Sequence, residues 1–166
     1  MPVSASATST CKNAVVVCAI GAVAAACGGN PCGPEFGEVA RVIDGDTIVL
    51  RSGEAVRYLL IDTPETGEPT ECYGVEAREA NRALVDGRSI RLRYDVQCED
   101  RYGRLLAYVS ADGGEVNRTL VERGFACVLH IPPNGADAWR DFEALEAAAR
   151  ESRRGLWGAC ARAPPC

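Results

Sequence analysis

Asp46, Arg57 and Asp62 are spaced so that they could meet at one end of a β-sheet. Asp46 follows the turn pair Asp44-Gly45, and Asp62 stands where a β-prone segment containing Arg57 ends. Two carboxylates and a backbone carbonyl suit a hard cation such as Ca²⁺. An arginine beside a metal suits a phosphate, because its planar fork matches phosphate oxygens. The three residues therefore indicate metal-assisted hydrolysis of a phosphodiester.

The loop that follows Asp62 adds groups of the same kind. Thr63 offers a backbone carbonyl, and Glu65 could orient or deprotonate a metal-associated water. Arg104, within the segment Asp100–Arg104, is a further candidate cation at a distance. Each motif alone is also common without any activity, as a hairpin turn, an Asx turn or a surface arginine, so the prediction depends on their convergence.

The elements that must position these groups are short strands and amphipathic helices, which alternate along the chain. Three β-prone segments predict a meander: Glu38–Ile43, Asp46–Arg51 and Glu54–Ile61. Patterns of apolar residues predict two further strands and three helices: strands Ser89–Val96 and Leu105–Ser110, helices Gly74–Val85, Glu115–Arg123 and Asp137–Arg153. A meander, a helix and two more strands is the order of an OB-fold barrel. We therefore predict an α+β fold: a five-stranded OB-fold-like β-barrel with three helices.

The turn at Ser52-Gly53 sets the expected register of the meander. A two-residue turn there would place Ile48 opposite Arg57, with Asp46 on the same face as both. Asp62 would then lie roughly 10 Å beyond the pairing partner of Asp46, a gap that strand twist or a bend could narrow.

Composition and charge bound the class of protein. The 166 residues suit one domain, and a hydrophobic content of 47% excludes a wholly disordered chain. The net charge is −5 and Lys12 is the only lysine, which argues against gripping nucleic acid through bulk charge. A nucleic-acid substrate would have to be held by a few well-placed arginines.

The first 37 residues differ from the rest of the chain. The apolar run Ala14–Ala26 fits the core of a secretory signal and is short for a membrane span. We expect residues 1–26 to be a signal peptide and residues 27–37, rich in Gly, Pro and Cys, to be a tether. Two alternatives stay open at the cleavage site: lipoprotein processing with Cys27 as the lipid-anchored first residue, or ordinary signal-peptidase cleavage. Either way the chain is expected to be exported, secreted or lipid-anchored in the cell envelope.

The nine cysteines also favour export. Loss of the leader and lipidation of Cys27 would leave six, an even number that suggests three disulfides in an oxidising compartment. A zinc site is not expected, because no CxxC pair occurs and the single histidine lacks the spacing of a ligand partner.

Four ordered segments match one known pattern: Val42–Thr47, Arg57–Thr66, Tyr73–Ala77 and Asp100–Tyr108. They resemble the thermonuclease family of secreted, calcium-dependent nucleases, from about Glu38 to Trp157. The resemblance implies a nuclease domain over residues 38–158, and leaves residues 159–166 as a tail containing Cys and Pro. It also implies hydrolysis of DNA and RNA with little sequence preference, leaving 3′-phosphate ends. A monomer is expected.

The resemblance implies a role for each matching residue. Calcium would be held by three oxygen ligands: Asp46, Asp62 and the carbonyl of Thr63. Attack of water on the scissile phosphate would depend on three catalytic side chains: Arg57, Glu65 and Arg104. The glutamate would orient or activate the water, and the arginines would stabilise the developing charge. Weaker contacts with the substrate would come from three more: Tyr102, Arg101 and His130.

The chain departs from the family pattern in places, and the first is a short hairpin between Asp46 and Arg57. Where relatives often have a tyrosine that touches the nucleotide, this chain has Leu129 or His130, depending on one gap. His130 could help the leaving oxygen, or be an ordinary surface histidine. A disulfide between Cys72 and Cys98 would clamp both sides of the site, because each flanks a segment with catalytic candidates. The alternative to an enzyme is a catalytically inactive OB-fold module that binds nucleic acid or another ligand.

Overall fold

The computed structural model describes residues Cys32–Ala161. The expected signal peptide, the lipidation site at Cys27 and the last part of the tail lie outside these residues. None of the helices between Cys32 and Ala161 has the length and apolar character of a membrane span.

Five strands form a closed barrel, and the fold has three further strands of two residues each among the described residues. In chain order they are β1 Phe36–Val42, β2 Thr47–Leu50, β3 Ala55–Tyr58, β4 Ile61–Asp62, β5 Ser89–Glu99, β6 Leu105–Ala111, β7 Gly114–Glu115 and β8 Cys127–Val128. The barrel strands pair antiparallel in the order β3-β2-β1-β5-β6, and a parallel pairing of β3 with β6 closes the sheet. Closure leaves no free edge among the five barrel strands. The predicted α+β fold, a five-stranded OB-fold-like barrel with three helices, is confirmed.

The helices pack around this barrel. Helix α1 spans Gly74–Val85, with the predicted bounds, and α2 and α3 span Val116–Glu122 and Trp139–Glu151. A single turn, α4 at Leu156–Ala159, follows, and its Leu156 is buried against the rest of the domain. The alternation of apolar and charged residues in β5 buries Ile90 and Leu92 inside the barrel, together with Ile48 and Val56 from the meander.

The predicted register of β2 and β3 is wrong by one residue. Thr47, and not Ile48, lies opposite Arg57. The cause is the connection, which is one residue longer than expected: Leu50 donates to the carbonyl of Glu54 at 2.9 Å, and Gly53 adopts a φ of 109°. Three-residue hairpin loops commonly use such a left-handed residue to close the turn.

A bend at Leu60 brings Asp62 back towards Arg57. Leu60 has a φ of 63°, which ends the third strand and redirects the chain into β4, whose partner is β8. The carbonyl of Leu60 accepts a hydrogen bond from Leu129 at 3.0 Å. This bend, rather than strand twist alone, closes the gap anticipated between Asp46 and Asp62.

Asn117, fully buried on α2, holds the backbone next to the same bend. Its amide nitrogen donates to the carbonyl of Leu59 at 2.9 Å, and its oxygen accepts the backbone N–H of Val109 at 2.9 Å. An alanine there would leave both backbone groups buried without partners. We expect Asn117→Ala to cost about 3 kcal/mol, on the order of 10 °C in Tm.

Thermal unfolding followed by circular dichroism checks this prediction. Glu122→Ala, an exposed change on the same helix, is the control and is expected to melt close to wild type. Equal melting temperatures for the two variants would contradict the role given to Asn117.

The disulfides differ from the predicted Cys72–Cys98 pair, which is wrong. Cys32 is bonded to Cys98, and Cys72 to Cys160. The reason lies in the path of the chain: the segment before β1 runs along β5, where Leu92 donates to the carbonyl of Glu35 at 2.7 Å. This path carries Cys32 to Cys98 and leaves Cys72 facing the C-terminal turn.

Candidate active site

The guanidinium of Arg57 lies between Asp46 and Asp62. Its Nη2 is 2.5 Å from Oδ1 of Asp62, and its Nη1 contacts Oδ2 of Asp46. Nη1 also donates to the carbonyl of Ile61 at 3.0 Å. Only 14% of the Arg57 side chain and 6% of that of Asp46 are exposed, so water screens this ion pair weakly.

Asp46 precedes the first residue of β2, where the pleat no longer fixes the direction of the side chain. Its backbone N–H donates to Oδ1 of Asp44 at 3.1 Å, an Asx turn that aims Asp46 inward. Thr63 donates to Oδ2 of Asp46 from its backbone N–H at 2.8 Å and from its hydroxyl at 3.0 Å. Gly45 permits this approach, because a Cβ there would lie 2.7 Å from the side chain of Thr63. The turn that carries Asp46 and the loop that follows Asp62 are thus joined by direct hydrogen bonds.

Asp46 is a carboxylate with too little positive charge around it. Burial raises its pKa to about 7, although Arg57 and the hydrogen bond from Thr63 oppose this shift. The negative charges of Asp44 and Asp62 act in the same direction as burial and are included in this value. A cation placed against Asp46 would stabilise its ionised form.

The chemistry of the donors decides which cation would fit. Within residues 32–161 no three His, Cys, Asp or Glu side chains are grouped to hold a metal ion. The available donors are the carboxylates of Asp46 and Asp62, with the oxygens of Thr63 beside them. Oxygen-only donors fit a hard divalent cation such as Ca²⁺, which takes carbonyl oxygens and water as its remaining ligands.

Arg104 stands on a turn that Asp100 organises. Oδ1 of Asp100 accepts the backbone N–H groups of Tyr102 and Arg104 at 2.8 and 3.0 Å, and Oδ2 accepts Nε of Arg104 at 2.6 Å. Although burial acts to raise it, these hydrogen bonds hold the pKa of Asp100 below its ordinary value. Among the described residues no hydrogen bond or ion pair occupies the Nη atoms of Arg104, so its outer fork is available to an anion.

Arg57 and Arg104 line one open cavity of about 510 Å³. Its polar wall includes four more side chains: Asp100, Arg101, Tyr102 and Gln97. The Tyr102 ring is 68% exposed and lies under the guanidinium groups of Arg101 and Arg104, at 4.7 and 5.6 Å from the ring centre. The cavity thus combines cationic groups with an exposed aromatic face, although the chain as a whole is acidic.

Glu65 lies on the loop beside the acidic pair and outside the wall of this cavity. Burial raises its pKa, the charges of Asp44 and Asp62 raise it further, and Arg57 opposes them. These interactions place Glu65 within electrostatic reach of Asp62 and Arg57.

The predicted site residue His130 does not line the cavity. Its ring stacks on Trp139, with centroids 5.4 Å apart, while its neighbours Leu129 and Ile131 line the cavity. Since both neighbours of His130 line the cavity, a shift of one residue in this segment exchanges a histidine for an aliphatic side chain.

The sequence reasoning missed Asp100 as the residue that organises the turn carrying Arg104. Its signal was an Asp at the first position of a turn that ends in Gly103 and Arg104, where a side-chain oxygen can accept backbone N–H groups. It also missed Asn117, since a single asparagine in a short helix carries no local sign of its distant partners.

The chain matches a known family over more than half of its length. A family model described as staphylococcal nuclease homologue matches residues 55–159. The thermonuclease of Staphylococcus hyicus is 36% identical over 126 residues, which are 72% of this chain and 74% of that protein. The chain belongs to the staphylococcal nuclease homologue family.

Two proteins of Bacillus subtilis (strain 168) are similar as well. Endonuclease YncB is 40% identical over 124 residues, which are 70% of this chain and 59% of that protein. The SPbeta prophage-derived endonuclease YokF is 40% identical over the same length, which is 42% of that protein. The chain thus spans only about half the length of these two relatives.

Proposed function

We propose that this chain is an exported, calcium-dependent endonuclease that hydrolyses the phosphodiester bonds of DNA and RNA and leaves 3′-phosphate ends. One observation carries the proposal: Arg57 joins Asp46 to Asp62 and lines the same cavity as Arg104. A phosphate in that cavity would meet two permanent cations next to a carboxylate pair that suits a divalent ion. The endonucleases and the thermonuclease among its relatives support the same reaction class.

Each proposed catalytic side chain has a distinct task. Glu65 orients and deprotonates the water that attacks phosphorus. Arg57 and Arg104 bind the phosphoryl oxygens and stabilise the extra negative charge that develops on them as the bond to the 5′-oxygen breaks. Asp100 holds Nε of Arg104, which leaves the outer fork directed to the phosphate.

Calcium would be held by Asp46, Asp62 and the carbonyl of Thr63. When bound, the ion would supply positive charge that polarises the phosphate and lowers the pKa of an associated water. The low sequence preference follows from contacts of the proposed kind, because arginines that bind phosphates carry no information about bases. Tyr102 and Arg101 would add stacking and charge at the rim of the cavity.

Export and a monomeric state belong to the same proposal. The disulfides Cys32–Cys98 and Cys72–Cys160 support an oxidising compartment outside the cytosol. We retain both alternatives for the leader, lipidation of Cys27 and simple secretion.

Incubation of the purified protein with DNA and with RNA, in calcium and then in excess chelator, tests the proposal. We expect both polymers to be degraded in calcium, and chelation to slow the reaction at least about 100-fold, because the acidic pair loses its counter-charge. Unchanged cleavage in chelator would refute the calcium requirement. Binding without cleavage under all conditions would instead support the inactive OB-fold module.

A further inference from the structure

The loop that carries Glu65 is closed by two reciprocal hydrogen bonds. The backbone N–H of Glu65 donates to Oε2 of Glu71 at 2.8 Å, and the backbone N–H of Glu71 donates to the carbonyl of Glu65 at 3.0 Å. The residues between them, 67–70, are exposed. Residues 67–70 lack core packing, so the two hydrogen bonds of Glu71 contribute directly to closing the loop.

The first turn of α1 rests directly on the closed loop. Gly74 donates to the carbonyl of Glu71 at 3.0 Å. A Cβ at Gly74 would lie 2.5 Å from the carbonyl oxygen of Glu65, so only glycine lets the helix approach this closely. The backbone of Glu65 is therefore enclosed between Glu71 and the start of the helix.

A disulfide joins the C-terminal end of this loop to the segment that follows α4 near the C-terminus. Cys72, next to Glu71, is bonded to Cys160 across 88 residues of sequence. Cys160 follows α4, which is itself anchored by a hydrogen bond from Leu156 to the carbonyl of Gly124 at 2.9 Å. The bridge thus connects the loop to a part of the chain that is already fixed.

We propose that Glu71 and the Cys72–Cys160 disulfide act together as a clasp that positions Glu65 for catalysis. The inference rests on the proposed role of Glu65. The loop has the composition of a flexible segment, with Thr, Gly, Pro and Glu, and would otherwise sample many conformations. A general base must lie within hydrogen-bonding reach of its water, and a misplacement of about 1 Å can cost about 100-fold in rate.

Two substitutions at Glu71 separate positioning from simple stability. Glu71→Gln keeps an oxygen that accepts the N–H of Glu65, whereas Glu71→Ala removes it. We expect the alanine variant to lose about 10- to 100-fold in kcat with KM nearly unchanged, and the glutamine variant to stay within about threefold of wild type. Hydrogen exchange at the amide of Glu65 should accelerate in Glu71→Ala only.

The bridges Cys72–Cys160 and Cys32–Cys98 form a matched pair for testing the second half of the clasp. Cys72→Ser/Cys160→Ser opens a bridge spanning 88 residues, and Cys32→Ser/Cys98→Ser opens one spanning 66. The chain-entropy cost of the two losses is similar, so both variants should melt earlier by comparable amounts. Only the first should accelerate exchange at the amide of Glu65.

Several results would overturn the clasp. If Glu71→Ala keeps the wild-type kcat and the wild-type exchange rate at the amide of Glu65, then Glu71 does not position Glu65. Equal exchange at Glu65 in the two serine double variants would remove the disulfide from the proposal. If the proposed role of Glu65 is wrong, Glu65→Gln will keep full activity. The exchange measurements do not depend on that role, so they would still show whether Glu71 and the disulfide hold the loop.

Discussion

Arg57→Lys is expected to lower kcat by about 10³-fold while the protein keeps its fold. Lysine preserves one positive charge between Asp46 and Asp62, but a single ammonium cannot reproduce the fork that contacts both carboxylates and the carbonyl of Ile61. Lysine would also lose the planar guanidinium that we propose binds the phosphate. Steady-state kinetics on a defined oligonucleotide, with circular dichroism for folding, would measure both effects.

A second arginine provides the control for this substitution. Arg51 pairs with Glu38 at 3.1 Å on the surface, where both side chains are about two-thirds exposed, so Arg51→Lys should change neither the rate nor the melting temperature appreciably. Arg57→Ala is a poorer test, because it leaves the buried Asp46 without its partner and should cost about 3–5 kcal/mol. A wild-type rate in Arg57→Lys would refute the role given to Arg57.

Periodic burial explains why so much of the fold could be predicted from the sequence. Helix α1 and the regular part of β5 each bury a repeating set of residues, and that repeat is visible in the chain itself. The register of β2 and β3 was missed because it depends on the conformation of Gly53, and the sequence does not state whether a glycine closes a loop of two residues or of three.

Features that depend on distant partners could not be predicted. Nothing in the sequence marks Leu60 for a left-handed conformation, which is uncommon for a bulky residue and persists because Leu129 and Asn117 hold the backbone around it. The disulfides are of the same kind: Cys32 meets Cys98 only because the chain before β1 runs along β5.

The candidate site also contains features that could be predicted from the sequence and others that could not. The convergence of Asp46, Arg57 and Asp62 at one end of the sheet was predicted from the expected hairpin register, with strand twist or a bend needed to bring Asp62 close. The structure supplies that bend at Leu60. The orientation of His130 could not be derived, because it lies in an irregular segment where one residue of offset reverses the direction of the side chain.

Glu65→Gln is expected to reduce kcat by about 10³-fold, with little change in KM, because the amide cannot accept the proton of the attacking water. The substitution preserves size, and the hydrogen bond to Glu71 survives because it comes from the backbone N–H of Glu65. Glu68→Gln, an exposed change in the same loop, is the matched control and should keep wild-type activity. Full activity in Glu65→Gln would exclude Glu65 as the base.

The melting temperature of Glu65→Gln distinguishes a catalytic role of Glu65 from a structural one. Burial and the charges of Asp44 and Asp62 raise the pKa of Glu65, which means that its ionised form is less favourable in the folded protein than in the unfolded chain. A neutral amide removes that unfavourable charge, so the variant should melt no earlier than wild type. A side chain whose loss abolishes turnover without lowering stability is retained for catalysis and not for folding.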